Sequence, residues 1–318
     1  AITTVLAYVS TIISGLAAYF TSSTILPMFL TPGSLAVNAE NPEEALVSGY
    51  FNVDMPPIFG VMTALLIAFT IGIGISVIKG DTIKKFMNEF QQIIEKLISN
   101  IVIPLLPIHI LGIFANMTYG GQVATIISVF ARVFAMIITL HIIIIIFQYI
   151  VGGALAGGNP FRLLKNMIPA YLTAIGTQSS AATIPVTLEQ TKKNGINEGV
   201  ADFVIPLCAT IHLSGSTITL VSCSMAVMML NGMAINLAKM FPFILMLGIT
   251  MVAAPGVPGG AVMAALGLLE SMLGFDQNLL ALMIALYLAQ DSFGTACNVT
   301  GDGAIALIVN RLSGYSLK

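Results

Sequence analysis

Charge is scarce in this sequence. Its 318 residues include only 12 Lys and Arg, 14 Asp and Glu, and three His. Charged residues make up 8%, against roughly 25% in soluble domains. That scarcity excludes an ordinary soluble domain, a basic nucleic-acid-binding patch and a long charged tail. The net charge of −2 says little about partners. Cysteine is equally sparse: Cys208, Cys223 and Cys297, each within an apolar segment. They form neither a disulfide framework nor a metal cluster, and they read as small buried side chains. No cleavable signal peptide is visible. The chain opens inside an apolar segment, which suggests that an N-terminal part precedes it.

Apolar residues are what the chain has in excess. They make up 57%, and the mean hydropathy is +0.97. Stretches near or beyond bilayer length recur at 1–30, 56–78, 98–117, 122–151, 200–230 and 240–274, against the ~20 residues that span a hydrocarbon core. The expected class is an all-α, multi-pass membrane protein in contact with the lipid bilayer.

The few charges set an orientation. The loop 31–54 carries Glu40, Glu43, Glu44 and Asp54 without Lys or Arg. Lys79, Lys84, Lys85 and Lys96 follow, then Arg162 and Lys165, Lys192 and Lys193, and Arg311 and Lys318. Basic segments face the cytoplasm, so 31–54 faces outside. Residues 81–117 read as an amphipathic cytoplasmic turn leading into an outward span. Residues 169–188 are apolar but flanked by basic residues on both sides, so they should enter the membrane and return. Residues 240–274 are broken by APGVPGG at 254–260. Prolines and glycines there stop a continuous helix. Two re-entrant hairpins from opposite faces point to a midplane site in a transporter built from inverted repeats. Kinked ordinary spans are the alternative.

The polar residues gather in a few places. Asp291, Thr295, Asn298 and Asp302 fall on one helix face, within an arc of roughly 60° at about 100° per residue. No Lys or Arg lies in that segment. An intramembrane carboxylate marks a functional site unless it reaches an interface. For Asp302 the alternative is snorkelling toward Arg311, and for Asp291 an outer-boundary position. TIHLSGSTIT at 210–219 has Gly215 as a plausible point of unwinding, whose carbonyls would bind a hard cation such as Na⁺. Ser and Thr bonding their own helix is the alternative. His212 is the one histidine in a polar cluster. His109 and His141 read as isolated, packed or interfacial, and a soft-metal site is not expected. GTQSSAATIP at 176–185 would place exposed amides at a helix start, suited to a carboxylate, or would simply pack closely. An intramembrane aspartyl protease needs two carboxylates about 3 Å apart. Asp291 and Asp302 lie about 16 Å apart along one helix, so no enzyme is expected. A channel is the third class.

These motifs in order resemble the dicarboxylate/amino acid:cation symporter family, the glutamate-transporter homologues. TQSSAATIPVT is similar to its serine-rich first hairpin, and PLCATIHLSGS at 206–216 to its interrupted seventh helix. GVPGGAVMAALGLLES at 256–271 is similar to the second hairpin, and DSFGTACNVTGD to the eighth helix. AYVSTI at 7–12 is similar to a third-helix sodium motif, which would start the chain at that helix. The resemblance implies inverted repeats with interrupted helices and an elevator transporter, commonly a homotrimer in the plasma membrane. Residues 1–30 and 122–318 would form the transport domain, with hairpins at about 169–198 and 240–274. Residues 55–118 would belong to the scaffold.

By the same resemblance, Asp291 binds a substrate α-ammonium and Asn298 the α-carboxylate. Ser179, Ser180, Ser216, Val257, Gly260, Gly294 and Thr295 complete the substrate site. Asp302, Asn298, Ile211 and Gly215 match one Na⁺ site. Thr210, Met251, Val252 and Ala254 match a second. The third cation site departs from the pattern. Tyr8 and Thr11 are kept, but His212 stands for Asn, Ser214 for Asp and Ile12 for a hydroxyl residue. Gly294 stands where members taking acidic substrates have Arg. A neutral amino acid with one or two Na⁺ is the expectation. A proton-coupled amino acid or dicarboxylate symporter using His212 is the alternative, and an anion channel a remote one.

Overall fold

The computed structural model describes residues 2–33, 61–78, 81–97, 100–101, 104–105, 108, 111–112, 115, 118–119, 123–252, 254 and 258–317. Residues 34–54 of the acidic loop 31–54, with Lys79, His109 and Val257, lie outside them. The described residues form helices and no strand. Helix α1 runs Ile2–Ile25 and ends in a 3₁₀ turn at Leu26–Met28, where Pro27 stops it. Helix α2 is Val61–Ile78 and α3 is Asp81–Leu97. Helix α3 is amphipathic, with Phe86 and Phe90 stacked on its apolar side.

Helix α4 follows at Val123–Ala156, and the short α5 at Pro160–Asn166 is capped by Asn159. Helix α6 is Ile168–Thr177 and α7 is Ser180–Lys193. Then come α8 at Glu198–Ile211, α9 at Ser214–Leu230, α10 at Leu237–Met251, α11 at Gly260–Leu268, α12 at Gln277–Leu288 and α13 at Asp291–Leu312. Among the described residues, three stretches are long and apolar enough to cross a membrane: Ile2–Met28, Phe130–Ala156 and Glu198–Leu230. The bent pair α12–α13 makes a fourth if it counts as one span.

Both expected hairpins form. Helices α6 and α7 pack on each other through a two-residue tip in which Gln178 is left-handed (φ 52°). Ten residues in α6 rise about 15 Å, half of a ~30 Å hydrocarbon core, so α6 enters without crossing. Helix α11 continues through a π-helical turn to Leu273, an arm that is also too short to span and packs back on α10. Lys239 Nζ donates to Leu273 O (3.0 Å), tying the two arms of the second hairpin at their base.

Helix α13 is the centre of the assembly. It packs against α4, α6, α7, α8 and α9, and nearly every residue from Gly294 to Asn310 is buried. Helix α9 is buried all round despite its Ser and Thr. Ser224 donates to Leu220 O (2.6 Å) and Thr219 to Gly215 O (3.2 Å), so their hydroxyls need no outside partner. The span 198–230 is interrupted as expected, but at His212–Leu213 rather than at Gly215, which sits inside the first turn of α9. Gly215 serves close packing instead. A Cβ there would collide with Gly294 O and lie 2.5 Å from Cys297 Cβ.

Candidate functional site

The bend of 61° between α12 and α13 puts Asp291 in the first turn of α13. There free helix N–H groups favour a carboxylate. Asp291 is 4% exposed, so it is no outer-boundary residue. Gly259 N–H, from the tip of the second hairpin, donates to its Oδ2 at 2.6 Å. Gly259 has φ +75°, a conformation that glycine adopts without strain. Thr295 Oγ1 reaches Asp291 Oδ1 at 3.5 Å.

Two turns along α13 from Asp291, Asn298 caps the start of α9. Its Oδ1 accepts from Gly215 N–H (2.7 Å) and Ser216 N–H (3.3 Å), two donors that the helix start leaves open. Its Nδ2 donates to Ser216 Oγ (3.0 Å), where Tyr287 OH also donates (3.0 Å). His141 from α4 donates through Nε2 to Gly215 O at 3.0 Å. His141 is therefore a buried part of this network, not the isolated residue the sequence suggested.

Asp302 lies a further turn along, 0% exposed, which rules out snorkelling. Its missing basic partner is His212, whose Nδ1 is 2.9 Å from Asp302 Oδ1. His212 Nε2 meets Ser10 Oγ at 2.9 Å. Gln148 Nε2 donates to Ser10 Oγ (3.0 Å) and Ser214 Oγ (3.4 Å). One donor direction satisfies the chain: the Gln148 amide to Ser10, the Ser10 hydroxyl to His212 Nε2, and His212 Nδ1–H to Asp302. Asp302 Oδ2 and Gln148 Oε1 are buried with no hydrogen-bond partner among the described residues. A Cβ on Gly301 would lie 2.6 Å from Gln148 Oε1 and 2.8 Å from His212 Cε1, so glycine admits both side chains. The donors are hard oxygens, and Asp302 has an open acceptor, which suits an alkali cation more than a soft metal.

The other expected cation residues separate. Tyr8 OH donates to Leu245 O (3.2 Å) and Thr11 Oγ1 to Ala7 O (2.9 Å), so neither bonds His212 or Ser214. The α1 hydroxyl that does so is Ser10, one residue from Thr11. Thr11 cannot serve in its place while its hydroxyl is used on its own helix. Thr210 is exposed and bonds Leu207 O (2.8 Å), while Met251 O accepts from Ala254 N (3.1 Å) and Val252 is 45% exposed. Among the described hydrogen bonds none joins Thr210 to Met251, Val252 or Ala254, and Ile211 is a buried apolar residue. Ser179 caps α7, accepting from Ala182 N (3.3 Å), and Ser180 is buried at the start of α7 where it packs on α13. Gly260 opens α11 beside Gly259. A Cβ on Gly294 would meet Ser216 N at 3.5 Å and Thr219 Oγ1 at 3.6 Å, so Gly294 faces α9 at ordinary contact distance.

Residues 1–312 match the model of the sodium:dicarboxylate symporter family. The chain belongs to the sodium:dicarboxylate symporter family. It is similar to the serine/threonine transporter SstT of Acinetobacter baumannii, 29% identical over 244 residues, covering 74% of this chain and 60% of that protein. It is also similar to excitatory amino acid transporter 2 of Homo sapiens, 29% identical over 256 residues, covering 78% of this chain and 44% of that protein. The match thus spans about three-fifths of the length of the bacterial relatives. As a member of this symporter family the chain is a multi-pass plasma-membrane protein.

Four residues of this buried polar network were not read from the sequence: Ser10, His141, Gln148 and Tyr287. His141 and Gln148 are seven apart on α4, hence on one face of an otherwise apolar helix. That pairing was a usable signal. Tyr287 precedes Asp291 by four residues, but the bend between them hid the relation.

Proposed function

We propose that this chain forms the core of a Na⁺-coupled symporter for a neutral α-amino acid, working by an elevator movement in a homotrimer. Residues 1–30 and 122–318 are the moving transport domain, and 55–118 belong to the scaffold. The reading is carried by Asp291, a buried carboxylate that accepts from Gly259 of the second hairpin and makes no ion pair among the described residues. A carboxylate accepts at several lone pairs. A substrate ammonium can therefore join Asp291 while Gly259 keeps its hydrogen bond, which couples binding to hairpin closure. Because Asp291 is buried, the hairpin must lift for substrate to enter.

Gly294 supports a neutral substrate. Unlike at Gly215, a Cβ at 294 meets only ordinary contacts, so packing does not force glycine there. An acidic side chain would find no cation and would face Asp291. Losing such a charge-assisted contact costs about 2–4 kcal/mol, some 30- to 1000-fold in affinity. The names of the bacterial relatives, serine/threonine transporters, agree with this. Na⁺ is the coupled cargo. We assign it to Asp302 Oδ2, which accepts no hydrogen bond among the described residues, together with Asn298 and the backbone of Ile211 and Gly215 on either side of the helix break. Calorimetry on the purified protein with L-serine, L-alanine and L-aspartate, each with and without Na⁺, tests this. Na⁺-dependent binding of the neutral amino acids, weakened in Asp291→Asn, is expected. Preferential binding of aspartate overturns the reading.

A further inference from the structure

We propose that the groove between α1 and α4 binds one anionic phospholipid, with its phosphate on Arg132 and an acyl chain along the groove. Helices α1 and α4 carry one Lys, Arg, Asp or Glu between them, and it is Arg132. Its side chain is exposed and makes no ion pair among the described residues. It is the third residue of the apolar span Phe130–Ala156. A charge on such a helix is costly in lipid and marks a site by default. So near the end of a span, an Arg side chain reaches the interface where lipid phosphates lie.

Packing leaves the groove open. Helix α1 rests on α9 and α10, and α4 rests on α13, so the two touch each other little. The furrow between them has a volume of about 680 Å³, within the ~300–1,000 Å³ of small-molecule sites. Arg132 is its one charged lining residue, and the others are chiefly apolar, among them Ile13, Ile25, Phe29 and Phe147. Thr139 adds no free hydroxyl, since its Oγ1 donates to Ala135 O (2.7 Å). From Arg132 to Phe147 the wall rises about 22 Å. One leaflet of the hydrocarbon core is about 15 Å deep, so a whole acyl chain fits along it.

A cation at one end of a long apolar groove is the complement of an anionic head on a hydrocarbon tail. A free phosphate would leave the groove unfilled. A zwitterionic lipid would bring its own cation to Arg132. At the far end, Ile13, Ile144 and Phe147 also border a smaller cavity lined by Ser10 and Gln148. The tail therefore ends beside the hydrogen bond that joins α1 to α4, Gln148 Nε2 to Ser10 Oγ.

The test uses the absence of tryptophan from the sequence. Phe147→Trp places a single emitter on the groove, and Phe20→Trp places one at an exposed α1 position outside it. Each variant of the full protein is reconstituted in phosphatidylcholine bilayers, and quenching by brominated phosphatidylglycerol is compared with quenching by brominated phosphatidylcholine. Phosphatidylglycerol should be preferred about fivefold in Phe147→Trp, the value of one basic side chain toward an anionic lipid. Phe20→Trp should show no preference. Added to Phe147→Trp, Arg132→Gln should abolish the preference, and so should Ala135→Phe, which fills the groove but keeps Arg132. Arg162→Gln, at an exposed arginine elsewhere, should keep it. If Phe147→Trp does not fold, Ile143→Trp, also exposed on the groove, is the reporter. Equal preference at the two positions, or a preference that survives Arg132→Gln or Ala135→Phe, overturns the proposal. Absence of quenching by either lipid in Phe147→Trp would show that protein covers the groove, and overturns it equally.

Discussion

Two glycines face each other where α9 crosses α13, and they should respond in opposite ways to the same change. In Gly215→Ala the new Cβ would collide with the Gly294 carbonyl and lie 2.5 Å from Cys297 Cβ. Carbon atoms in contact prefer about 3.5–4.0 Å, so the helices must part by roughly 1 Å. Neither neighbour is a flexible side-chain end that could swing away. Overpacking of this kind costs about 1–3 kcal/mol. The same shift draws Gly215 N–H and Ser216 N–H from Asn298, so substrate affinity should fall with stability. In Gly294→Ala the new Cβ meets atoms at 3.5 and 3.6 Å, ordinary contact. Alanine also favours the helix by up to about 1 kcal/mol over glycine. Thermal unfolding in detergent, with Na⁺-dependent serine binding on the same samples, measures both effects. Gly215→Ala should lower both, and Gly294→Ala should leave stability equal or higher. Equal stability of the two variants, or a less stable Gly294→Ala, would refute the geometry of the crossing.

Three other outcomes follow from the Asp302 cluster. Asp302→Asn removes the carboxylate but keeps its shape, so serine uptake should lose its dependence on Na⁺; unchanged Na⁺ dependence in flux assays would contradict the assignment. Gln148→Leu takes away the donor shared by Ser10 and Ser214 and should weaken half-saturation by Na⁺ about tenfold, with serine affinity at saturating Na⁺ nearly retained. The expected third cation site has no carboxylate of its own, since Ser214 stands where the resembled family has Asp, and buried cations need a counter-charge. Reversal potentials in proteoliposomes should therefore fit one or two Na⁺ per cycle, and a fit to three would refute this.

The sequence carried the architecture through local chemistry. Basic residues on both sides of 169–188, and the prolines and glycines of 254–260, announce hairpins because they constrain crossing and helix continuity within a few residues. The acidic and amide stripe on α13 was legible for the same reason, as a period along one helix. Contacts between distant segments were not. His212 and Asp302 are 90 residues apart, and His212 and Ser10 are 202 apart. No local pattern pairs them. Ser10 and Thr11 are neighbours of similar chemistry, and only packing decides that Ser10 faces His212. Gly215 was misread because glycine suits both an unwound segment and a close crossing, and only the position of Gly294 tells them apart.

The account stands or falls on whether a Na⁺ gradient drives a neutral amino acid through this protein. The direct measurement is accumulation of labelled L-serine in proteoliposomes of the full protein under an inward Na⁺ gradient, an inward proton gradient, or neither. Accumulation above equilibrium should occur with the Na⁺ gradient alone, and excess unlabelled L-aspartate should barely compete. Accumulation driven by the proton gradient without Na⁺, or aspartate displacing serine at lower concentration than alanine does, would contradict it.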